Sequence, residues 1–295
     1  MNKIQRPVIA LSIVVSAFAL GLWPTAALAA TQPRLSTATS FAVLAGSTIT
    51  NTGSSVIHGA IGLSPGSAVT GFPPGSATSK QKTNAVARQA KTDLVTTYND
   101  LASWRATRSM TGLDLGGKTL TPGVYTFSSS AQLTGTLTLS GNGIFIFQMG
   151  STLTTASNSR VLVTNGAQGC GVYWKVGSSA TLGSGTQFKG TIVALTSITM
   201  VTGATILPGR ALARNGAVTL DSNRIDLPVG PCNATGTSST TGTTTTSTTS
   251  TLAQTGGGAP EGGFPWVLAL IAGIAGSFGV LRFSLSNRVE RRTTS

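Results

Sequence analysis

The chain has 295 residues, with 20 Lys and Arg against 7 Asp and Glu, a net charge of +13, one histidine and two cysteines. One histidine and no CxxC or Cys/His spacing exclude a His-based catalytic relay and a multi-histidine metal site within one chain, and no cofactor is called for. With both ends set aside as processing segments, fourteen basic and five acidic residues remain, about +9; they are scattered and no nucleic-acid module is legible, so the charge reads as a solvated surface beside an anionic envelope.

Residues 1–29 place Lys3 and Arg6 before an apolar run from Val8 to Leu22 and close on Ala27-Leu28-Ala29, the pattern of a cleaved secretory signal peptide. The mature chain then starts near Ala30. From Leu35 to Phe72 short β-type runs predict strands at Phe41 to Leu44, Ser47 to Thr50, Val56-Ile57 and Ala60-Ile61. Phe72-Pro73-Pro74-Gly75 breaks that regularity. Residues 79–108 contain neither glycine nor proline and space Ala87, Ala90, Leu94, Tyr98 and Leu101 three and four apart, which predicts one amphipathic helix of about six or seven turns.

From Leu113 to Leu227 short β-branched runs recur every eight to eleven residues, among them Leu137 to Leu139, Ile144 to Ile146, Val172 to Trp174 and Ala217 to Leu220. Pairs such as Ser140-Gly141, Asn165-Gly166, Ser184-Gly185 and Asn215-Gly216 bend the chain sharply without a long loop. A coil can then close in about three strands and must stack on a neighbour to bury its apolar side. The favoured fold is therefore mainly β, a parallel β-helix or solenoid with one long α-helix packed alongside. An antiparallel sandwich shares the same alternation and stays open.

Two cysteines 62 residues apart in an exported chain predict one disulfide, Cys170 to Cys232, against the alternative of two buried thiols. The folded domain is read as residues 30–232, and residues 233–251, almost wholly Thr, Ser and Gly, as an extended stalk. Residues 252–295 follow: Leu252-Ala253-Gln254-Thr255-Gly256, a transmembrane segment at 264–281 just long enough to span a bilayer, and a tail whose Arg282, Arg288, Arg291 and Arg292 fix that end in the cytoplasm.

The order of pentapeptide, apolar span and basic tail resembles the cell-wall sorting signal of Gram-positive surface proteins, in its Leu-Ala-x-Thr-Gly form. That resemblance implies cleavage between Thr255 and Gly256 by a sortase, linkage of Thr255 to peptidoglycan, and residence in the wall or at the membrane surface of a Gram-positive bacterium. Ala253 stands where proline is commoner. Residues 35–227 resemble the microbial ice-binding proteins, built as a right-handed parallel β-helix flanked by one α-helix. The matching blocks are Phe41 to Gly46, Ile61 to Gly66, Leu120 to Tyr125, Val172 to Leu182 and Gly209 to Leu220.

The resemblance implies an ice-crystal surface as partner and no enzymatic activity. A parallel stack repeats equivalent side chains about every 4.8 Å, close to an ice lattice spacing, so outward Thr and Ser on one face form a regular grid. Threonine offers a methyl, a hydroxyl and a stiff χ1, whereas Lys175, Lys189, Arg210 and Arg214 would spoil such a face. The family motif Thr-(Ala/Gly)-x-(Thr/Asn) occurs twice, which makes Thr155, Asn158, Thr202 and Thr205 the candidate ice-binding residues, with Thr134 and Thr136 secondary. An adhesin or coat protein of the same fold is the alternative. An enzyme would need clustered carboxylates, and Asp93, Asp100, Asp114, Asp221 and Asp226 lie at least five residues apart.

Overall fold

The structure, a computed structural model, describes residues 32–230 and 232–234. The predicted signal peptide, most of the stalk, the sorting pentapeptide and the span at 264–281 lie outside the described residues. Among the described residues no helix is long and apolar enough to cross a membrane.

The described part is mainly β with one helix, and every strand pairing in it is parallel. This pattern counts against two antiparallel facing sheets. Each circuit of the chain lays one strand, or half of a bent strand, in each of three parallel ladders, here called faces I, II and III in chain order. Face I includes Phe41–Ala45, Val172–Val176, Phe145–Met149 and Gly123–Phe127. Face II orders Ala68–Thr70, Thr48–Thr52, Val218–Asp221, Ile198–Met200, Ala180–Leu182, Leu153–Thr155 and Ala131–Leu133 side by side. Face III includes Arg224–Asp226, Arg160–Thr164, Thr136–Ser140 and Thr119–Leu120. Val56–Leu63 and Thr205–Ala213 each bend and serve faces III and I in turn, so with Phe41–Ala45 and Arg224–Asp226 they close a hydrogen-bonded ring of four strands. Val56-Ile57 and Ala60-Ile61, predicted as separate strands, are therefore one.

Spatial order does not follow chain order. The chain enters mid-stack at Phe41, makes two circuits to one end at Ser76–Lys82, and resumes after the helix at Arg108–Ser109 at the other end. Later circuits climb back until residues 209–213, Val218–Asp221 and Arg224–Asp226 dock on the first ones, pairing Val43 with Ala211, Thr50 with Thr219 and Ile57 with Ile225. A helix between the two ends is what lets the chain make that return.

The helix spans Ala85–Ser103, shorter at both ends than the predicted 79–108. Residues 79–82 extend instead, because they pair with Ala60 to Leu63, and the Asn84 side chain caps the helix by accepting from the Ala87 amide at 2.9 Å. Trp104 is extended and ends it. The predicted stripe is its buried side. Ala90, Leu94, Tyr98 and Leu101 pack on the outward side of face I against Phe41, Leu44, Ile146, Tyr173, Val193 and Leu212. The inward side of face I feeds the main core, where the Phe147 and Trp174 rings stack at 4.1 Å and Tyr125 lies 5.4 Å from Phe147.

Cys170 and Cys232 form the expected disulfide, with Cα atoms 5.8 Å apart. Gln32 donates to the Cys232 carbonyl at 2.8 Å, and Ala234 is buried on the helix side of the stack. Asn165-Gly166 turns the chain with φ of 50° and 84°, as its composition predicts. Gly216 acts differently: a Cβ there would lie 2.7 Å from the Thr196 carbonyl oxygen, so its corner needs close approach.

Candidate functional site

A three-sided stack offers three outer surfaces, and helix packing removes face I. Face III carries charge. His58 Nδ1 lies 2.7 Å from Asp226, Arg224 pairs with the same carboxylate at 2.8 Å, and Arg160 is exposed. The Arg224 hydrogen bonds, then that of His58, hold the Asp226 carboxyl below the usual carboxylate range despite some burial. Lys189 folds back on the Leu207 carbonyl at 2.7 Å, beside half-buried Leu207 and exposed Leu162. This surface is neither level nor neutral.

Face II is both. Its strands are short and alternate, so a central side chain points outward between two that point into the core, except in Ala68–Thr70, where Val69 is central and the outward Thr70 ends the strand. Parallel pairing brings those outward residues into one line: Thr70 beside Thr50, then Thr219, Thr199, Thr181 and Thr154. All six are exposed or half-buried, while Ile49, Val218, Ile198, Ala180 and Leu153 beneath them are buried. At about 4.8 Å per step the six threonines extend over roughly 24 Å. The line continues into Gln132, bridged to Asp114.

No lysine or arginine lies in any strand of this face. Hydroxyls also gather at the corner leading into it. The Thr152 hydroxyl donates to Ser130 Oγ at 2.8 Å, Ser179 Oγ accepts from the Ser197 amide at 3.3 Å, and Ser197 Oγ from the Ala217 amide at 3.1 Å. The two carboxylates lie at the margins. Asp221 ends its strand and accepts from the Thr202 hydroxyl. Burial pushes the Asp114 carboxyl up, but hydrogen bonds from Thr134 and Gly116, with Lys118 nearby, win and hold it below the ordinary range. Among the described residues no group of three or more His, Cys, Asp or Glu side chains could hold a metal ion.

The motif candidates fall around this line. Thr155 is 3 % exposed; its hydroxyl is 2.8 Å from that of Thr186 and accepts from the Gly183 amide at 2.9 Å, so it faces inward and offers nothing to a flat surface. Asn158 turns the corner from face II to face III at φ 58°, and exposed Thr202 occupies the equivalent corner two circuits on. Thr134, also at that edge, donates its amide to Asp114 at 2.9 Å. Thr205 and Thr136 begin strands of face III, paired with Arg224 and Arg160. Corner candidates thus flank one edge of face II, while its central line escaped the motif. Its signal was a Thr between two apolar residues, as in Ile198-Thr199-Met200 and Ala180-Thr181-Leu182. The aromatic residues that a sugar-stacking adhesin would expose are in packing positions: Tyr125, Tyr173 and Trp174 are buried and Trp104 is half-buried against the helix-side cluster.

The Ice-binding-like family matches residues 43–226. An ice-binding protein of Nostoc sp. is 54% identical over 230 residues, covering 76% of this chain and 84% of that protein. One from Flavobacterium frigoris is 35% identical over 212 residues, covering 66% and 76% respectively. Two crystal structures superpose with a TM-score of 0.65: an ice-binding protein from an Antarctic biological consortium, 44% identical and covering 76% of this chain and 97% of that one, and one from the Antarctic ascomycete Antarctomyces psychrotrophicus, 39% identical and covering 68% and 100%. With its family match spanning the three-sided stack, this chain belongs to the Ice-binding-like family.

Proposed function

We propose that this chain binds ice through face II and does so at a bacterial cell surface. The observation that carries the reading is the uncharged line of one threonine per circuit, Thr70, Thr50, Thr219, Thr199, Thr181 and Thr154, held level by a packed core. Rigid, regularly spaced methyl and hydroxyl groups can order a water layer that merges with the crystal, and no bond is made or broken. The flanking Asn158, Thr202 and Thr134 extend the surface at one edge. The parallel circuits are read as a right-handed β-helix, supported by the family's members. Adsorption would hold cells at ice or restrain growth and recrystallisation of ice near them.

Attachment rests on the residues beyond the stack. A signal peptide at 1–29, the stalk at 233–251 and the Leu252 to Gly256 pentapeptide before an apolar span and arginines form the order a sortase uses to join a protein to peptidoglycan. The purified chain, incubated with a slowly growing ice hemisphere, should be incorporated into the solid. Its complete exclusion from the ice would overturn the reading. Wall localisation has its own test: Thr255→Ala should release the protein from the wall fraction, and an unchanged wall fraction would count against sorting.

A further inference from the structure

On the side of the stack away from face II, Arg210 is 8% exposed. Its Nε and Nη2 donate to the Thr39 carbonyl at 3.2 and 2.9 Å, and Nη1 to Thr191 Oγ1 at 3.4 Å. Both acceptors are neutral, and among the described residues no carboxylate lies within 4.0 Å of it. A guanidinium this deep without an anion is an uncompensated charge, and three of its five N–H groups are used.

Arg210 lines a cleft of about 190 Å³ together with Gln32, Thr39, Tyr173 and the Cys170–Cys232 disulfide, among others, and among the described residues none in its wall is acidic. Tyr173 is 3% exposed, and burial, only partly offset by Arg210, pushes its phenol up to about 12. At neutral pH its hydroxyl therefore keeps its proton and can donate a hydrogen bond.

We propose that this cleft binds a small oxyanion, a phosphate or carboxylate group, on the spare N–H groups of Arg210 with the Tyr173 hydroxyl as second donor. A planar guanidinium fork suits two oxygens of either group. The cleft lies beside Cys232, close to the carboxyl end of the described fold, and, resting on the cell-surface reading above, the group it takes would belong to an envelope polymer.

Isothermal titration of the purified chain with inorganic phosphate and, separately, with acetate at fixed ionic strength tests this. At least one should bind saturably, one per chain, with a Kd of roughly 1 mM. Which of the two binds identifies the source. Tyr173→Phe, which keeps the ring, should weaken binding by about tenfold or more, and Arg210→Gln should abolish it. If Arg210→Gln fails to fold, Tyr173→Phe decides. Neither anion binding by ~100 mM, a hundredfold above that Kd, or Tyr173→Phe binding as tightly as the native chain, overturns the proposal. Both variants leave face II intact and should enter ice normally, so this test fails or succeeds independently of ice adsorption.

Discussion

Replacing Thr199 by tyrosine tests the threonine line at its centre. Thr199 is flanked by Thr181 on one side and Thr219 on the other. With steps of about 4.8 Å, a phenol ring standing up at position 199 holds a flat crystal plane away from that residue and both neighbours, so roughly half of the six-threonine line no longer reaches the ice. The native side chain is half-buried and points away from the core, so unfolding stability should change by no more than about 0.5 kcal/mol. Thermal hysteresis at fixed concentration, read by nanolitre osmometry, should fall by roughly half or more, in proportion to the length of line held off the crystal. Thr138→Tyr is the matched control, because Thr138 is also half-buried and outward but sits on face III between Thr119 and Leu162. Full hysteresis in Thr199→Tyr, or an equal loss in Thr138→Tyr, would refute the assignment of face II.

Thr155→Val should cost about 1–3 kcal/mol in urea unfolding, since it removes two buried hydrogen bonds and leaves the Gly183 amide only the Thr155 carbonyl at 3.2 Å and the Thr186 hydroxyl only the Ala156 carbonyl at 3.3 Å, while ice adsorption is retained; a loss of adsorption at unchanged stability would restore Thr155 to the ice-facing surface. Reducing Cys170–Cys232, or a double serine variant, should remove about 4 kcal/mol in the chain-entropy description of a 62-residue loop and lower Tm by roughly 10 °C, checked by calorimetry with and without reductant. Lys91 gives a pH signature. Burial, then repulsion from Arg214, lowers its pKa to about 8 from 10.5. The native state thus releases this proton before the unfolded chain does, and stability should climb as pH rises from about 8. Tyr173 works in the opposite sense, because its pKa is raised from 10.0 to about 12 and the unfolded chain ionises first above pH 10. Urea midpoints should peak near pH 10, and Lys91→Met should abolish the climb; a profile flat between pH 8 and 10 in the native chain would contradict this.

Much of the architecture was legible because local chemistry and tertiary packing agree in it. The short runs with Asn-Gly and Ser-Gly corners became strands and turns, and the Ala87-to-Leu101 stripe became the buried side of the helix. Residues 79–82 misled because a polar run free of glycine and proline reads as helical, whereas an open ladder edge beside Ala60 to Leu63 draws it into a strand. The threonine line was harder to read. Corner loops vary in length, so Thr154, Thr181, Thr199 and Thr219 share no fixed period, and Thr50 and Thr70 come from the far side of the helix. A motif of four consecutive residues samples a corner, where Thr155 turns inward and Thr202 turns to Asp221. Alignment across circuits is a property of the ladder.

The junction of Thr50 with Thr219 also bears on how the protein matures. A nascent chain made amino end first exposes its opening two circuits long before their partners arrive, and such long-range closure makes folding slow. Neither segment alone presents more than a fragment of the lattice-matching strip. The full length of that strip is therefore a readout of completed assembly, acquired only when the last circuits have docked on the first.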